Sequence, residues 1–320
     1  MSVVRRETRH DRTKYFRQTW LPQLRAGNVN LQILPVFVDK AFAGEAALRE
    51  AVRMIETAHE LFEAADSDLQ LCLTASDLDR ALSTDRVAIV LALEGLRGIG
   101  EDLQLLSSMR RLGVRCASLV HFGRGVFADG SDQDAAGARL STLGVEAVQE
   151  LERLEVMIDV SHLGRTGLDH LLEISSNPLI ATHSSAKAIH NHHRNLSDNH
   201  LTEIAARGGV IAVNVFAPYL HDSRDDIGIV VEHISHIASV AGTDAVALGP
   251  DFVSDVIDDT IPACSITTQV VAHRRFVAGL ERPDGLPSLL DALTAAGFSR
   301  SDVEAIAGGN LRRFLAENLK

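Results

Sequence analysis

Seven short apolar runs, beginning near Leu31, Val87, Ala117, Val156, Leu179, Val210 and Ala245, punctuate the chain. They are rich in Val, Ile, Leu and Ala, the pattern of strands buried on both faces of a parallel sheet. Between them, apolar residues recur at helical spacing. Residues 44–65 carry Ala47, Leu48, Ala51, Met54, Ile55, Ala58, Leu61 and Phe62 in this way, and 102–112, 140–154 and 227–241 repeat the pattern. Alternating β and α segments predict a parallel sheet covered by helices. The expected fold class is α/β, a (β/α)8 barrel, and a closed barrel of this type needs eight strands. The missing strand belongs at the N-terminus, where residues 1–29 are read as an irregular polar segment of one domain spanning 1–320. Near the other end, Ser301, Asp302 and Glu304 read as a capping box opening a short helix. Gly308 and Gly309 read as its stop, with Asn310 starting the last helix.

Five of these runs lead into residues of compatible chemistry: Glu94, His121, His162, His183 and Asp251. A (β/α) barrel keeps its reacting groups at the C-terminal ends of its strands. Any one such residue has a bland reading. Glu94 could cap a helix or pair with a cation; otherwise a carboxylate after so apolar a run is costly to bury unless it binds metal. His162 and His183, each flanked by serine, could be hydrogen-bonded loop histidines or ligands to zinc or a similar metal. Asp251 could be a turn residue after Gly249-Pro250, a ligand or a general acid/base. His121 could be a core histidine or could polarise a carbonyl. Arg194, within His190-Asn-His-His-Arg194, suits a substrate carboxylate, and the neighbouring histidines read as a solvated loop. His233, His236 and His273 fall on predicted helices, where packing or surface roles are the default. Together the five strand-end residues point to a hydrolytic metal centre. No nucleophile elbow, P-loop or dinucleotide fingerprint is present.

Composition narrows the field. A net charge of −12 with no basic tract argues against nucleic acid as a partner. No segment is long and apolar enough to span a membrane, and residues 1–17 lack the apolar centre of a signal peptide. Three separated cysteines, Cys72, Cys116 and Cys264, with no CxxC pair, suit a reducing compartment. A cytoplasmic protein is therefore expected, with a homodimer as the default assembly.

Taken in order, Ala92-Leu-Glu-Gly95, Leu119-Val-His121, Ile158-Asp-Val-Ser-His162, Ala181-Thr-His-Ser-Ser185, His192-His-Arg-Asn195, Gly249-Pro-Asp-Phe252 and Gly308-Gly-Asn310 resemble the membrane dipeptidase (renal dipeptidase) family of zinc peptidases. The likeness runs from about residue 18 to the C-terminus. It implies a (β/α)8 barrel with two zinc ions. Carried over by position, Glu94 would bridge the metals and His162 and His183 would hold one of them. His121 would contact the scissile carbonyl, Arg194 the carboxylate of the dipeptide substrate, and Asp251 would manage protons. Tolerance of a D-residue at the C-terminal substrate position is common in the family. One departure matters: the family's first strand ends in a His-x-Asp motif holding the other metal, and no His-x-Asp occurs here. His10-Asp11 has the wrong spacing. The segment from Met1 resembles sequence that follows the motif, so an internal methionine taken as the start is the preferred explanation over a variant with a dismantled site. Either way, the 320-residue chain is expected to hold one ion, or a poorly occupied pair, and to show weak or no dipeptidase activity. Two alternatives stay open: a non-catalytic barrel that binds small peptides or serves as an oligomer scaffold, and a metal hydrolase acting on cyclic amides.

Overall fold

A computed structural model describes residues 12–253 and 276–320. Eight parallel strands form one sheet: β1 (Leu31–Phe37), β2 (Leu69–Leu71), β3 (Val87–Glu94), β4 (Val114–Ser118), β5 (Met157–Asp159), β6 (Leu179–Ser184), β7 (Val210–Val213) and β8 (Val246–Leu248). Their order is β1-β3-β4-β5-β6-β7-β8, and the short β2 pairs with β3 beside the start of that strand. Helices follow most strands, among them Glu45–Ala64, Thr142–Arg153, Arg165–Ile174 and Ile227–Ala241, giving a curled α/β sheet of the barrel type. Among the described residues β1 and β8 do not pair with each other, so the sheet is open between them.

The apolar runs sort onto two faces with period two. In β3, Val87, Ile89, Leu91 and Leu93 pack with Ala51, Ile55, Leu106 and Met109 of the covering helices. Ala88, Val90 and Ala92 point the other way, against Cys116, Met157, Ile180 and Val210. That inner layer is closed by Phe314, Leu315 and Leu319 of the C-terminal segment. Asn310 fixes the last helix to the sheet by donating from Nδ2 to the carbonyls of Thr243 and Val246, both at 2.8 Å.

Several expectations need correction. The N-terminal segment read as irregular is helical over Arg12–Ala26, where Phe16 and Leu24 are buried in the core. Residues 69–71 form a strand that the hydrophobic pattern did not single out, because Gln70 interrupts its apolar run. The last helices are capped by Ser299, whose side chain accepts from the Asp302 N–H, and not by Ser301. Gly308 leaves helical geometry and so separates that helix from the last one, Asn310–Asn318, as the two glycines predict. Cys72 and Cys116 are buried free thiols. Cys264, His273 and the pair His10-Asp11 lie outside the described residues. No helix among the described residues is long and apolar enough to cross a membrane.

Candidate metal centre

At the C-terminal mouth of the sheet four side chains converge. Glu94 is the last residue of β3, and its Oε1 lies 3.0 Å from His162 Nε2, 3.4 Å from His183 Nε2 and 3.7 Å from His121 Nε2. The Nε2 atoms of His162 and His183 are 2.8 Å apart. Among the described residues, Glu94, His162 and His183 are the one group of three whose ligand-type atoms all lie within 4.8 Å of one another. Two imidazole nitrogens and a carboxylate oxygen suit a zinc-type cation in both charge and softness.

Local backbone geometry makes this convergence possible. Beyond β5 the chain turns, and His162 adopts a left-handed conformation (φ 72°), rare for a non-glycine residue. The turn is locked by the Ser131 N–H, which donates to the His162 carbonyl at 2.7 Å. Asp251, three residues past β8, is also left-handed (φ 59°). Two such residues at one mouth are strain held by surrounding structure, a recurrent mark of functional sites. In β6, Ile180 faces inward and Ala181 outward, so strict alternation would send His183 away from the mouth. The β6–β7 register breaks between Ala181 and Ser184, and this irregularity lets Thr182 and His183 both reach the site.

Gly249 leaves room for that bulge. A Cβ at this position would stand 1.9 Å from the Thr182 carbonyl oxygen and 2.8 Å from Ala212 Cβ. Gly249→Ala is therefore expected to push β8 away from β6, destabilising the protein by about 1–3 kcal/mol, as overpacking does, and displacing His183 and Asp251. Urea unfolding checks the first effect; an unchanged midpoint would refute the close contact.

The electrostatics are set by burial and by one cation. Burial works to raise the Glu94 pKa, but hydrogen bonds from His162 and His183 outweigh it and hold the carboxyl well below its usual range. Burial, helped by the Arg194 charge, drives His162 well below its ordinary value. Burial brings His121 down to about 4. His183 moves the other way: burial opposes its protonation, but Asp251 and Glu94 overcome that and raise it. Burial raises Asp251, whose Oδ2 accepts from Asn214 Nδ2 at 3.3 Å.

Arg194 lies in the loop after β6 and is buried, donating from Nη2 to the His183 carbonyl at 3.2 Å, with its guanidinium 5.5 Å from the Tyr219 ring centroid. The neighbouring histidines do not form the solvated loop expected of them. His192 Nδ1 accepts from the Arg194 N–H, its ring lies 4.9 Å from Tyr219, and His193 Nδ1 is bonded to Ser131 Oγ at 2.9 Å. His233 is fully buried, accepting the Ala186 N–H at Nδ1 and bonding the Leu220 carbonyl through Nε2, a packing role. The structure thus brings all five strand-end residues and Arg194 to one mouth. Sequence reasoning assigned no role to Asp159, Thr182, Asn214 or Tyr219, although the first two stand inside the motifs that carry His162 and His183.

A model of the family described as "Membrane dipeptidase (Peptidase family M19)" matches residues 3–319. The "Dipeptidase tcpJ" of Claviceps purpurea is 28% identical over 276 residues, which cover 85% of this chain and 60% of that relative. The chain accordingly spans three fifths of that protein's length. A crystal structure of dipeptidase AC, described as a metallopeptidase of family M19, superposes with a TM-score of 0.82 at 25% identity, covering 93% of this chain and 88% of its own. A metallopeptidase from Rhodobacter sphaeroides, crystallised with a phosphinate mimic of the dipeptide L-Ala-D-Ala, gives a TM-score of 0.82 at 24% identity, with 94% and 90% covered.

Proposed function

Because the chain belongs to the membrane dipeptidase family, we propose that it hydrolyses dipeptides at the mouth formed by Glu94, His162 and His183. The observation that carries this reading is the convergence of those three donors within 4.8 Å. They would hold one zinc-type cation, with Glu94 supplying the charge and the two imidazoles the softer donors. When bound, such an ion supplies a water of lowered pKa and polarises the scissile carbonyl.

The remaining groups position substrate and move protons. Arg194 pairs with the dipeptide's terminal carboxylate, which selects short substrates with a free C-terminus. His121, neutral at pH 7 because burial depresses its pKa to about 4, donates one N–H toward the carbonyl oxygen as negative charge develops there. Asp251, its pKa raised by burial, accepts a proton from the attacking water and returns it to the leaving amine. Asn214 keeps that carboxyl aimed by donating to Oδ2. The buried thiols Cys72 and Cys116 support a reducing, cytoplasmic setting.

With no His-x-Asp in the sequence, a second ion lacks the ligands the family gives it. About one equivalent of zinc per chain and slow hydrolysis of L-Ala-D-Ala are therefore expected, measured by elemental mass spectrometry and by release of free alanine. Two equivalents with rapid turnover would overturn the single-ion part. Neither metal nor turnover would leave a small-peptide binder and refute the enzyme.

A further inference from the structure

A relay of two side chains outside the donor set, Asp159 and Thr182, ends on His183. Asp159, the last residue of β5, is buried on the inner side of the sheet. Its Oδ1 accepts the backbone N–H groups of Ser161 and Thr182 at 2.9 and 3.0 Å. Its Oδ2 accepts the Thr182 hydroxyl at 2.6 Å, and that same Oγ1 lies 2.8 Å from His183 Nδ1. Ser161 Oγ accepts the His183 N–H at 3.1 Å, so the histidine backbone is fixed as well.

The direction of this chain of bonds follows from counting hydrogens. A carboxylate only accepts, and a hydroxyl has a single proton to give. The Thr182 proton therefore goes to Asp159, and the Thr182 oxygen presents a lone pair to His183 Nδ1. Nδ1 must carry the hydrogen. In the neutral ring Nε2 is then left with its lone pair, on the side facing Glu94 and His162; only the imidazolium also donates from Nε2 to Glu94. We propose that Asp159, acting through Thr182, is a positioning residue that sets the His183 tautomer and so prepares Nε2 to bind a cation. The second half of this statement rests on the proposed metal centre; the tautomer does not. His162 has no counterpart to this relay, since its Nδ1 is buried without a hydrogen-bond partner.

Asp159→Asn gives the sharpest test. The two backbone donors at Oδ1 force the asparagine oxygen into that place, which turns its NH2 toward Thr182. The Thr182 hydroxyl then donates to His183 Nδ1, 2.8 Å away, in preference to the more distant Ser161 Oγ at 3.3 Å, and the hydrogen moves to Nε2. In metal-free protein at alkaline pH, nitrogen NMR of His183 should show Nδ1–H in the wild type, Nε2–H in Asp159→Asn, a mixture in Thr182→Val, and the wild-type form in Thr182→Ser. Zinc affinity by chelator competition should fall about 10–100-fold in the Asn and Val variants, the usual cost of losing a histidine's outer partner, and be retained in Thr182→Ser. Nε2–H in the wild type, or an Asn variant with wild-type tautomer and affinity, overturns the inference. If the tautomers shift as stated while the wild type binds no zinc, the relay stands and the proposed metal centre falls.

Discussion

Arg194→Met is expected to lower kcat/KM for an unblocked dipeptide by about 10²–10⁴-fold, corresponding to the roughly 3–5 kcal/mol lost when one partner of a buried ion pair is removed. The guanidinium is held on two sides, by the His183 carbonyl and the Tyr219 ring, yet its Nε is buried without a hydrogen-bond partner. It therefore combines a fixed position with unused donor capacity, which suits a bidentate carboxylate. Methionine keeps an unbranched apolar stem in place of the arginine's, so the loss isolates the charge. The control is a dipeptide amide, which lacks the carboxylate. It should be a poor substrate for the wild type and should lose almost nothing further in the variant. Equal losses on free and amidated substrates would show that Arg194 acts on the site's electrostatics and not on the substrate.

Much of this arrangement is legible from the chain because the barrel strands are buried on both faces. Val87–Glu94 is an unbroken apolar run ending in one carboxylate, and no other element type explains that pattern in so few residues. The order of strands follows once the runs are found, since parallel neighbours need crossovers and the helices supply them. What the sequence conceals is local departure from regular geometry. A period-two reading of β6 cannot place Thr182 and His183 at the same mouth; the break in register does that. The Asp159–Thr182 pair is equally hidden, because its partners lie 23 positions apart and meet only when β5 and β6 align Asp159 with Ile180. Three consecutive polar residues, His192 to Arg194, look solvated by composition, yet Tyr219 and Ser131 cover them from distant segments. The strand β2 is hidden because Gln70 breaks its apolar run, whereas β5 and β8, equally short, start inside continuous ones.

Acid should unfold the chelator-treated protein well above the pH at which its carboxylates titrate. His121 and His233 are each depressed from 6.5 to about 4, in both cases chiefly by burial. For such groups the unfolded chain takes up a proton that the folded chain refuses, so between pH 6.5 and 4 the unfolded state binds more protons and stability falls as pH falls. Each shift corresponds to about 3 kcal/mol across that window, a large share of the stability of an ordinary domain. His192 is shifted to about 4 as well, but it is part exposed and solvent screening reduces its weight. His183 carries the opposite sign: its raised pKa contributes stability that is complete below pH 6.5 and is lost as pH rises, so it adds no loss in the acid window. His162, driven down by burial as well, adds a third proton, and Asp251, raised by burial, offsets part of it as the pH nears the carboxylate range, so urea midpoints measured from pH 7 to 4.5 should fall with a slope of about two to three protons. His233 is not one of the groups that meet at the metal centre; it holds the Ala186 and Leu220 backbone groups through its two ring nitrogens. His233→Gln can keep one acceptor and one donor in place while removing the titration. That variant should lose about one proton from the slope while the pH 7 midpoint drops only modestly. An unchanged slope would mean that His233 is protonated in the folded state, which its burial and its two hydrogen bonds forbid.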